Sequence, residues 1–156
     1  MAREHHYELT VTWTGNRGKG TSGYRAYGRE HEISAEGKSA LVEGSSDPAF
    51  LGDPARYNPE ELLVASLSAC HMLWFLHLCS DAGIIVTSYR DSATGVMAQH
   101  ADGAGEFTKV TLHPRVAISD PSRAADTTAL HVKAHELCYI ARSVNFPVEH
   151  EPAVET

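Results

Sequence analysis

Two cysteines that lie far apart in the chain are the residues best suited to do chemistry. Cys70 lies in the apolar run LLVASLSACHMLWFL, and Cys138 lies in HVKAHELCYIARSVNFPV. Each run is typical of a helix, and each has histidines close by. Because a thiolate attacks electrophiles and a second thiol can then close a disulfide, the pair fits a thiol peroxidase. Cys79 has no such setting, and we expect it to pack in the core.

Cys70 needs a positive group to react as a thiolate, and Arg17 is the candidate that the sequence offers. On a helical projection Cys70 shares a face with four mostly apolar side chains, namely Leu63, Leu67, Trp74 and His77. Such a wall disfavours a charged sulfur unless a cation approaches. Arg17 lies in the turn GNRGKG, where glycines let the backbone come close and the guanidinium offers a rigid fork of donors. The alternative for Arg17 is an exposed side chain without a specific contact.

Cys138 lies beside a polar row on its own segment. His131, His135 and Cys138 follow the spacing i, i+4, i+7, so one helix face could present two imidazoles and a thiolate to a zinc ion. The sequence offers no obvious fourth ligand, and it contains neither a Cys-x-x-Cys nor a His-Glu-x-x-His pattern. The other alternative for Cys138 is a small buried core residue.

Length and composition predict a single globular domain over residues 1–156, of which 42% are hydrophobic. The 20 acidic and 13 basic residues are spread along the chain and give a net charge of -7, which argues against nucleic acid as a partner. The start, MAREHHYELT, lacks the apolar core of a signal peptide, and three cysteines suit a secreted disulfide scaffold poorly. We therefore expect a cytoplasmic protein.

The first half of the chain predicts a strand and a long helix. Apolar and polar residues alternate over 7–14, the period of a strand with one buried face. Asn58 is the expected N-cap, Pro59 the first helical residue and Glu61 the partner that closes a capping box, while Gly83 ends the helix. The helix is apolar nearly all round, so we expect burial on most sides. A membrane span is disfavoured, because serines and histidines interrupt an apolar stretch of barely ~20 residues.

The second half predicts two further strands, a second helix and an extended end. The strands cover 84–96 and 106–118 and are joined by a turn at 101–105. An apolar stripe predicts a helix over 122–142, formed by Leu130, Ala134, Leu137 and Ala141. Prolines keep 145–154 extended. Together these elements predict an α+β fold.

Three segments taken together resemble the OsmC/Ohr family of organic hydroperoxide reductases, and more closely its OsmC branch. They are WTGNRGKGT at 13–21, YNPEELLVASLSACH at 57–71 and AHELCYIARSVNFPV at 134–148. They follow in the family's order and span most of the chain. The resemblance implies antiparallel sheets packed around long central helices. It also implies an intertwined homodimer whose active sites lie at the subunit interface.

The same resemblance implies a cysteine-based peroxidase that reduces organic hydroperoxides to alcohols. Cys70 would attack the peroxide and become a sulfenic acid, and Cys138 would resolve it as a disulfide. Arg17 and Glu60 would hold and polarise the site. A dithiol, either a small thiol or a lipoyl-type protein, would restore the thiols, and neither a cofactor nor a metal ion is implied.

Several points stay open from sequence. Tyr139 follows the second cysteine where many relatives carry proline, which leaves the docking surface of the reductant open. Arg25 or Arg29 would replace Arg17 if the hairpin register differs. Ten helical residues span about 15 Å, so either the first turn folds back or Glu60 serves the thiol of the other subunit. The rival function is a non-catalytic protein that binds a small apolar ligand or a metal ion on the same scaffold.

Overall fold

The structure, a computed structural model, describes residues 1–155 and has the predicted α+β architecture. The chain divides into two compact units, Met1–Leu62 and the residues from Leu63 onward. The single domain that the sequence predicts stays a prediction.

The first unit carries an antiparallel sheet in the order β1 (Thr10–Trp13), β2 (His31–Ser34), β3 (Val42–Gly44). Strand β1 covers only the second part of the predicted stretch 7–14, and all of its residues are exposed. The prediction of a buried face is therefore wrong for the single chain. Alternation gives the strand an apolar face with Val11 and Trp13, which are 60% and 44% exposed.

Helix α1 (Pro59–Asp81) begins and ends where the sequence predicts. Glu61 N–H donates to Asn58 Oδ1 at 2.8 Å, and Asn58 N–H donates to Glu61 Oε2 at 3.0 Å, so the capping box is formed. Past the helix end, Gly83 has a φ of 70°, a left-handed conformation that glycine adopts without a steric penalty.

Only one face of α1 is fully buried, which corrects the expectation of burial on most sides. The fully buried residues recur at every fourth position: Leu67, His71, Phe75 and Cys79. Leu73, between them, is 62% exposed. By length and mean hydropathy (1.7) α1 is a candidate for crossing a membrane, but the core helix of a soluble protein passes the same test.

The second unit carries two three-stranded sheets. The first has the order β4 (Val86–Asp91), β7 (Pro114–Ile118), β9 (Ala153–Val154), and the second β5 (Thr94–Gln99), β6 (Gly105–Leu112), β8 (Val148–His150). The pairs β4–β7 and β5–β6 are antiparallel, as the family resemblance implies. Strand β8 pairs in parallel with β6, and strand β9 pairs in parallel with β7.

Each strand predicted over 84–96 and 106–118 is broken into two. The Asp91 carboxylate lies at the break, where it accepts hydrogen bonds from the Ser68 hydroxyl and from His113 N–H, the latter at 2.7 Å. Pro114 follows directly and has no N–H for a continuous ladder. The chain therefore changes sheets at this point.

Helix α2 (Ala124–Leu137) is shorter than the predicted 122–142 and is flanked by single 3-10 turns, Pro121–Arg123 and Ala141–Ser143. Two apolar clusters surround the buried face of α1. One comprises Phe75, Cys79, Ile84, Val116, Ile118 and Ala134, and the other Leu67, Val110, Leu112 and Val148. Helix α1 is thus the element that positions Cys70 relative to α2.

Candidate active site

The structure places Cys70 and Cys138, which are distant in sequence, close enough for the Cys70 thiol to raise the pKa of the Cys138 thiol. Both are free thiols. Cys70 is partly exposed on α1, whereas Cys138 is 1% exposed just beyond α2. One accessible and one enclosed thiol therefore lie within reach of each other.

Cys138 lies at the junction of α2 and the 3-10 turn that follows. Its backbone is extended, with a ψ of 112°, and this ends the helix before the predicted boundary. The sulfur accepts a hydrogen bond from Ala141 N–H at 3.4 Å, while the Cys138 carbonyl accepts one from Arg142 N–H at 3.1 Å. The turn thereby aims a backbone donor at the sulfur.

The environment of Cys138 keeps it protonated. Burial raises the pKa of its thiol to about 11, the N–H groups of Ala141 and Ile140 oppose this rise, and the Cys70 thiol adds to it. A protonated, enclosed thiol does not compete for an electrophile in solution. Cys138 is therefore suited to react after Cys70 rather than before it.

Cys79 lies in the apolar core, as the sequence predicts. It is 0% exposed, and burial raises the pKa of its thiol to about 11. Structural cysteines of this kind are inert.

Arg17 projects from a loop with a fixed backbone. Asn16 Oδ1 accepts hydrogen bonds from Gly18 and Gly20 N–H at 2.9 and 3.1 Å, and both glycines have positive φ values. The Arg17 side chain is 62% exposed and forms an ion pair with Glu30 at 4.0 Å. The loop thus holds the base of the side chain while the guanidinium points outward.

Glu60 lies in the first turn of α1 and is partly exposed. Within residues 1–155 no ion pair joins Glu60 to Arg17, whose carboxylate partner is Glu30. Because α1 is continuous from Pro59 onward, the alternative in which its first turn folds back is wrong.

Two other arginines have structural partners. The Arg29 guanidinium lies 4.5 Å from the Tyr24 ring centroid and 4.0 Å from that of Tyr27, and it donates to both backbone carbonyls. Arg56, which the sequence analysis did not single out, forms an ion pair with Glu43 at 3.5 Å. Arg25, the other alternative, is exposed.

A cluster of four histidines, which sequence reasoning missed as a unit, is formed by His71 on α1, His131 and His135 on α2, and His150 on β8. His71 Nε2 and His131 Nδ1 are 3.0 Å apart, and their ring planes differ by 5°. The His150 ring centroid lies 5.5 Å from that of His71 and 5.6 Å from that of His135. The helical spacing of 131 and 135 was visible in sequence, but no local signal joins either residue to His71 or His150.

Burial keeps His71, His131 and His150 neutral near pH 7. Burial and the neighbouring imidazoles lower the pKa of His71 to about 4 and that of His131 to about 3. They also lower the pKa of His150. His71 and His131 are each 1% exposed. Among residues 1–155 the charges that lower the pKa of these three rings come from other histidines, and no carboxylate forms an ion pair with any of the three.

The zinc alternative finds no support in this geometry. Across residues 1–155 no group of three or more histidine, cysteine, aspartate or glutamate side chains is arranged to hold a metal ion. His131 instead directs Nδ1 at His71.

Comparisons with known proteins agree with the segments singled out above. A sequence model of the OsmC-like protein family matches residues 52–152. This range contains Glu60, Cys70 and Cys138, whereas Arg17 lies outside it. A search of curated proteins found no match.

Solved structures share the fold along nearly the whole chain. An OsmC-like protein of unknown function from Vibrio cholerae is 32% identical, with a TM-score of 0.85 over 96% of this chain and 100% of that one. An organic hydroperoxide resistance protein from Elizabethkingia anophelis is 20% identical, with a TM-score of 0.66 over 99% of each chain. Another from Legionella pneumophila is 16% identical, with a TM-score of 0.65 over 98% of this chain and 100% of that one.

Proposed function

Because this chain belongs to the OsmC-like protein family, we propose that it is a cysteine-based peroxidase that reduces organic hydroperoxides to alcohols. The observation that carries the proposal is that the partly exposed thiol of Cys70 lies close enough to the enclosed thiol of Cys138 to raise its pKa. The two structures named as organic hydroperoxide resistance proteins support the same chemistry, since their fold matches along the chain.

In the first step the Cys70 thiolate attacks one oxygen of the peroxide. The O–O bond breaks, the sulfur is oxidised to a sulfenic acid, and the alkoxide leaves as the alcohol after it takes up a proton. Arg17 assists this step in our proposal, because a guanidinium stabilises both a thiolate and a departing oxygen anion. Glu60 holds that guanidinium.

In the second step Cys138 attacks the sulfenic sulfur of Cys70. A disulfide forms, and the sulfenic hydroxyl leaves as water with the thiol proton of Cys138. An external dithiol then exchanges with the disulfide, returns both cysteines to thiols and is itself oxidised. The proximity of the two thiols in the reduced chain supports this step, because a disulfide forms only between cysteines that lie near each other.

The partner that completes the site is, in our proposal, a second copy of this chain. Apolar side chains remain exposed in each unit, notably Val11 and Trp13 on β1 and Leu73 on α1. Along a continuous helix Glu60 is far from the thiol of its own chain, so it acts across the dimer. Light scattering at micromolar concentration is expected to give about twice the chain mass of 16.9 kDa. The mass of a single chain would contradict the dimer.

Apolar surroundings of Cys70 should favour organic over inorganic peroxide. Trp74, one turn beyond Cys70, meets the ring of Tyr139, the residue after Cys138, with centroids 5.6 Å apart. Burying one methylene gains about 0.8 kcal/mol, or about fourfold in kcat/KM. We therefore expect kcat/KM to rise by up to about fourfold per methylene along a series of alkyl hydroperoxides, from a low value for hydrogen peroxide.

The assay that tests the function measures peroxide consumption with dithiothreitol as the reductant. Rapid loss of alkyl hydroperoxide and slow loss of hydrogen peroxide would support the proposal. Equal rates for all peroxides would show that the apolar side chains around Cys70 do not select organic over inorganic peroxide. No turnover by folded, reduced protein would contradict the peroxidase and favour the non-catalytic binding protein.

A further inference from the structure

The four histidines have no part in the chemistry proposed above. They nevertheless connect helix α1, which carries Cys70, to helix α2, which directly precedes Cys138. His71 directly follows Cys70 on α1, and His131 lies on α2, which ends at Cys138. Neighbouring residues of a helix move together, because each is fixed to the next by backbone geometry. Separating His71 from His131 therefore moves α1, which carries Cys70, away from α2, whose last residue directly precedes Cys138.

We propose that the hydrogen bond between His71 and His131 is a clamp that holds α1 and α2 at the spacing at which Cys70 meets Cys138, and that acid opens this clamp. The inference rests on the proposed function for its biological meaning, but not for its test. In this proposal His71 and His131 are positioning residues, since neither is required to touch the peroxide.

The clamp is a single specific contact in an enclosed place. At 3.0 Å, one ring nitrogen must donate and the other must accept. The Phe75 ring stacks on His131 with centroids 3.8 Å apart and planes 11° apart, which fixes the orientation of the acceptor or donor atom. A buried hydrogen bond between side chains of two helices fixes their register as well as their distance.

Protonation of both rings removes the bond, because two imidazolium rings have only donors to offer, whereas a pair with one added proton keeps a donor and an acceptor. The ionisable groups that face the pair are His150 on β8 and His135 on α2, which are themselves imidazoles. On the side of β4, Tyr89 packs against Phe75, and within the described residues 1–155 its hydroxyl is buried without a hydrogen-bond partner. Protons that enter the cluster therefore repel one another, and none of these described residues supplies a carboxylate that forms an ion pair with His71, His131 or His150.

The direction of the pH effect follows from proton counts. Between about pH 6.5, where unfolded histidine titrates, and about pH 4, where His71 begins to bind a proton, the unfolded chain binds two protons that the clamp excludes. Stability then falls as the pH falls. For each pH unit by which the pH falls, each excluded proton raises the equilibrium constant for unfolding about tenfold. The two histidines together therefore raise this constant about 100-fold per unit.

The test measures the thiol pair by exchange with glutathione, so it requires no peroxide. Full-length protein is equilibrated in buffers of reduced and oxidised glutathione at pH 7.5, quenched and alkylated, and the Cys70–Cys138 disulfide is quantified by mass spectrometry. The His131→Leu variant removes the bond, and we expect it to lower the equilibrium constant for disulfide formation at least tenfold. His100→Asn, at an exposed position between β5 and β6, should leave the constant unchanged.

A rescue variant separates positioning from packing. In His71→Gln/His131→Asn the side-chain amides replace the facing ring nitrogens, so the hydrogen bond remains but no proton can bind. We expect its equilibrium constant for disulfide formation to stay within threefold of the wild-type value. The unfolding constant, measured with urea, increases when the pH is lowered from 6 to 5, and this increase should be about 100-fold smaller in the variant than in the wild type. This variant also decides the matter if His131→Leu fails to fold.

Two results would overturn the clamp. One is a disulfide constant of wild-type size in folded His131→Leu. The other is a rescue variant that keeps the full pH dependence of wild-type unfolding. Since glutathione exchange is independent of peroxidase activity, an inactive protein with an intact clamp would reject the proposed function alone.

Discussion

Cys70→Ser is expected to abolish organic hydroperoxide turnover, with a loss on the order of 1000-fold or more in the initial rate. In the proposed mechanism the Cys70 thiolate is the nucleophile, and a serine hydroxyl does not ionise near neutral pH. Cys70 is also the only one of the three cysteines that is not buried in the structure of residues 1–155. The rate is measured as consumption of tert-butyl hydroperoxide with dithiothreitol, on protein whose folding is checked by circular dichroism.

Cys79→Ala is the matched control, because Cys79 lies on the same helix and is buried in the core. It should retain the wild-type rate, although the lost sulfur lowers stability somewhat. A fully active Cys70→Ser variant would show that another group attacks the peroxide. Loss of activity in the control alone would point to Cys79.

Replacing Arg17 should reduce the turnover rate less than replacing Cys70. Arg17→Ala should slow turnover about 100-fold, the usual cost of removing one donor to a developing oxygen anion. Arg25→Ala changes an exposed arginine of the same loop and should have little effect. The reverse ranking would transfer the role to Arg25.

Cys138→Ser is expected to stop the reaction at the sulfenic acid. One equivalent of peroxide should then convert Cys70 to a species that dimedone labels, whereas wild-type protein should give the disulfide and almost no adduct. With excess peroxide the variant should overoxidise to sulfinic acid, because nothing resolves the intermediate. Mass spectrometry of the labelled peptide measures all three products.

This result depends on the position of Cys138 rather than on its thiol alone. Its sulfur accepts a hydrogen bond from Ala141 N–H and lies close enough to the Cys70 thiol for that thiol to raise its pKa, and in our proposal it displaces the sulfenic hydroxyl. The Cys79→Ala variant should behave as the wild type does. Dimedone labelling of equal extent in wild type and Cys138→Ser would contradict the resolving role.

Local sequence patterns were sufficient for the elements that place Cys70. The Asn58 and Glu61 capping box and the stop at Gly83 depend on residues within a few positions of each other, and both form as predicted. Hydrophobic periodicity also located α2. It overestimated its length, because the bond from Ala141 N–H to the Cys138 sulfur diverts the chain.

Contacts between distant residues were beyond the sequence. The bond between His71 and His131 joins positions 60 residues apart, and nothing local distinguishes these histidines from exposed ones. The breaks between β4 and β5 and between β6 and β7 arise in the same way, because Asp91 binds the N–H of His113 across two strands. The alternation of apolar and polar residues over 7–14 correctly predicted a strand, but the predicted burial of its apolar face does not occur in the single chain.

The most direct test of the account is to find which sulfurs a single equivalent of alkyl hydroperoxide joins. Reduced wild-type protein is treated for seconds, alkylated, digested without reductant and analysed by mass spectrometry. We predict one disulfide between Cys70 and Cys138, with Cys79 alkylated as a free thiol. A protein that keeps three free thiols, or that links Cys79 instead, would contradict the proposed peroxidase.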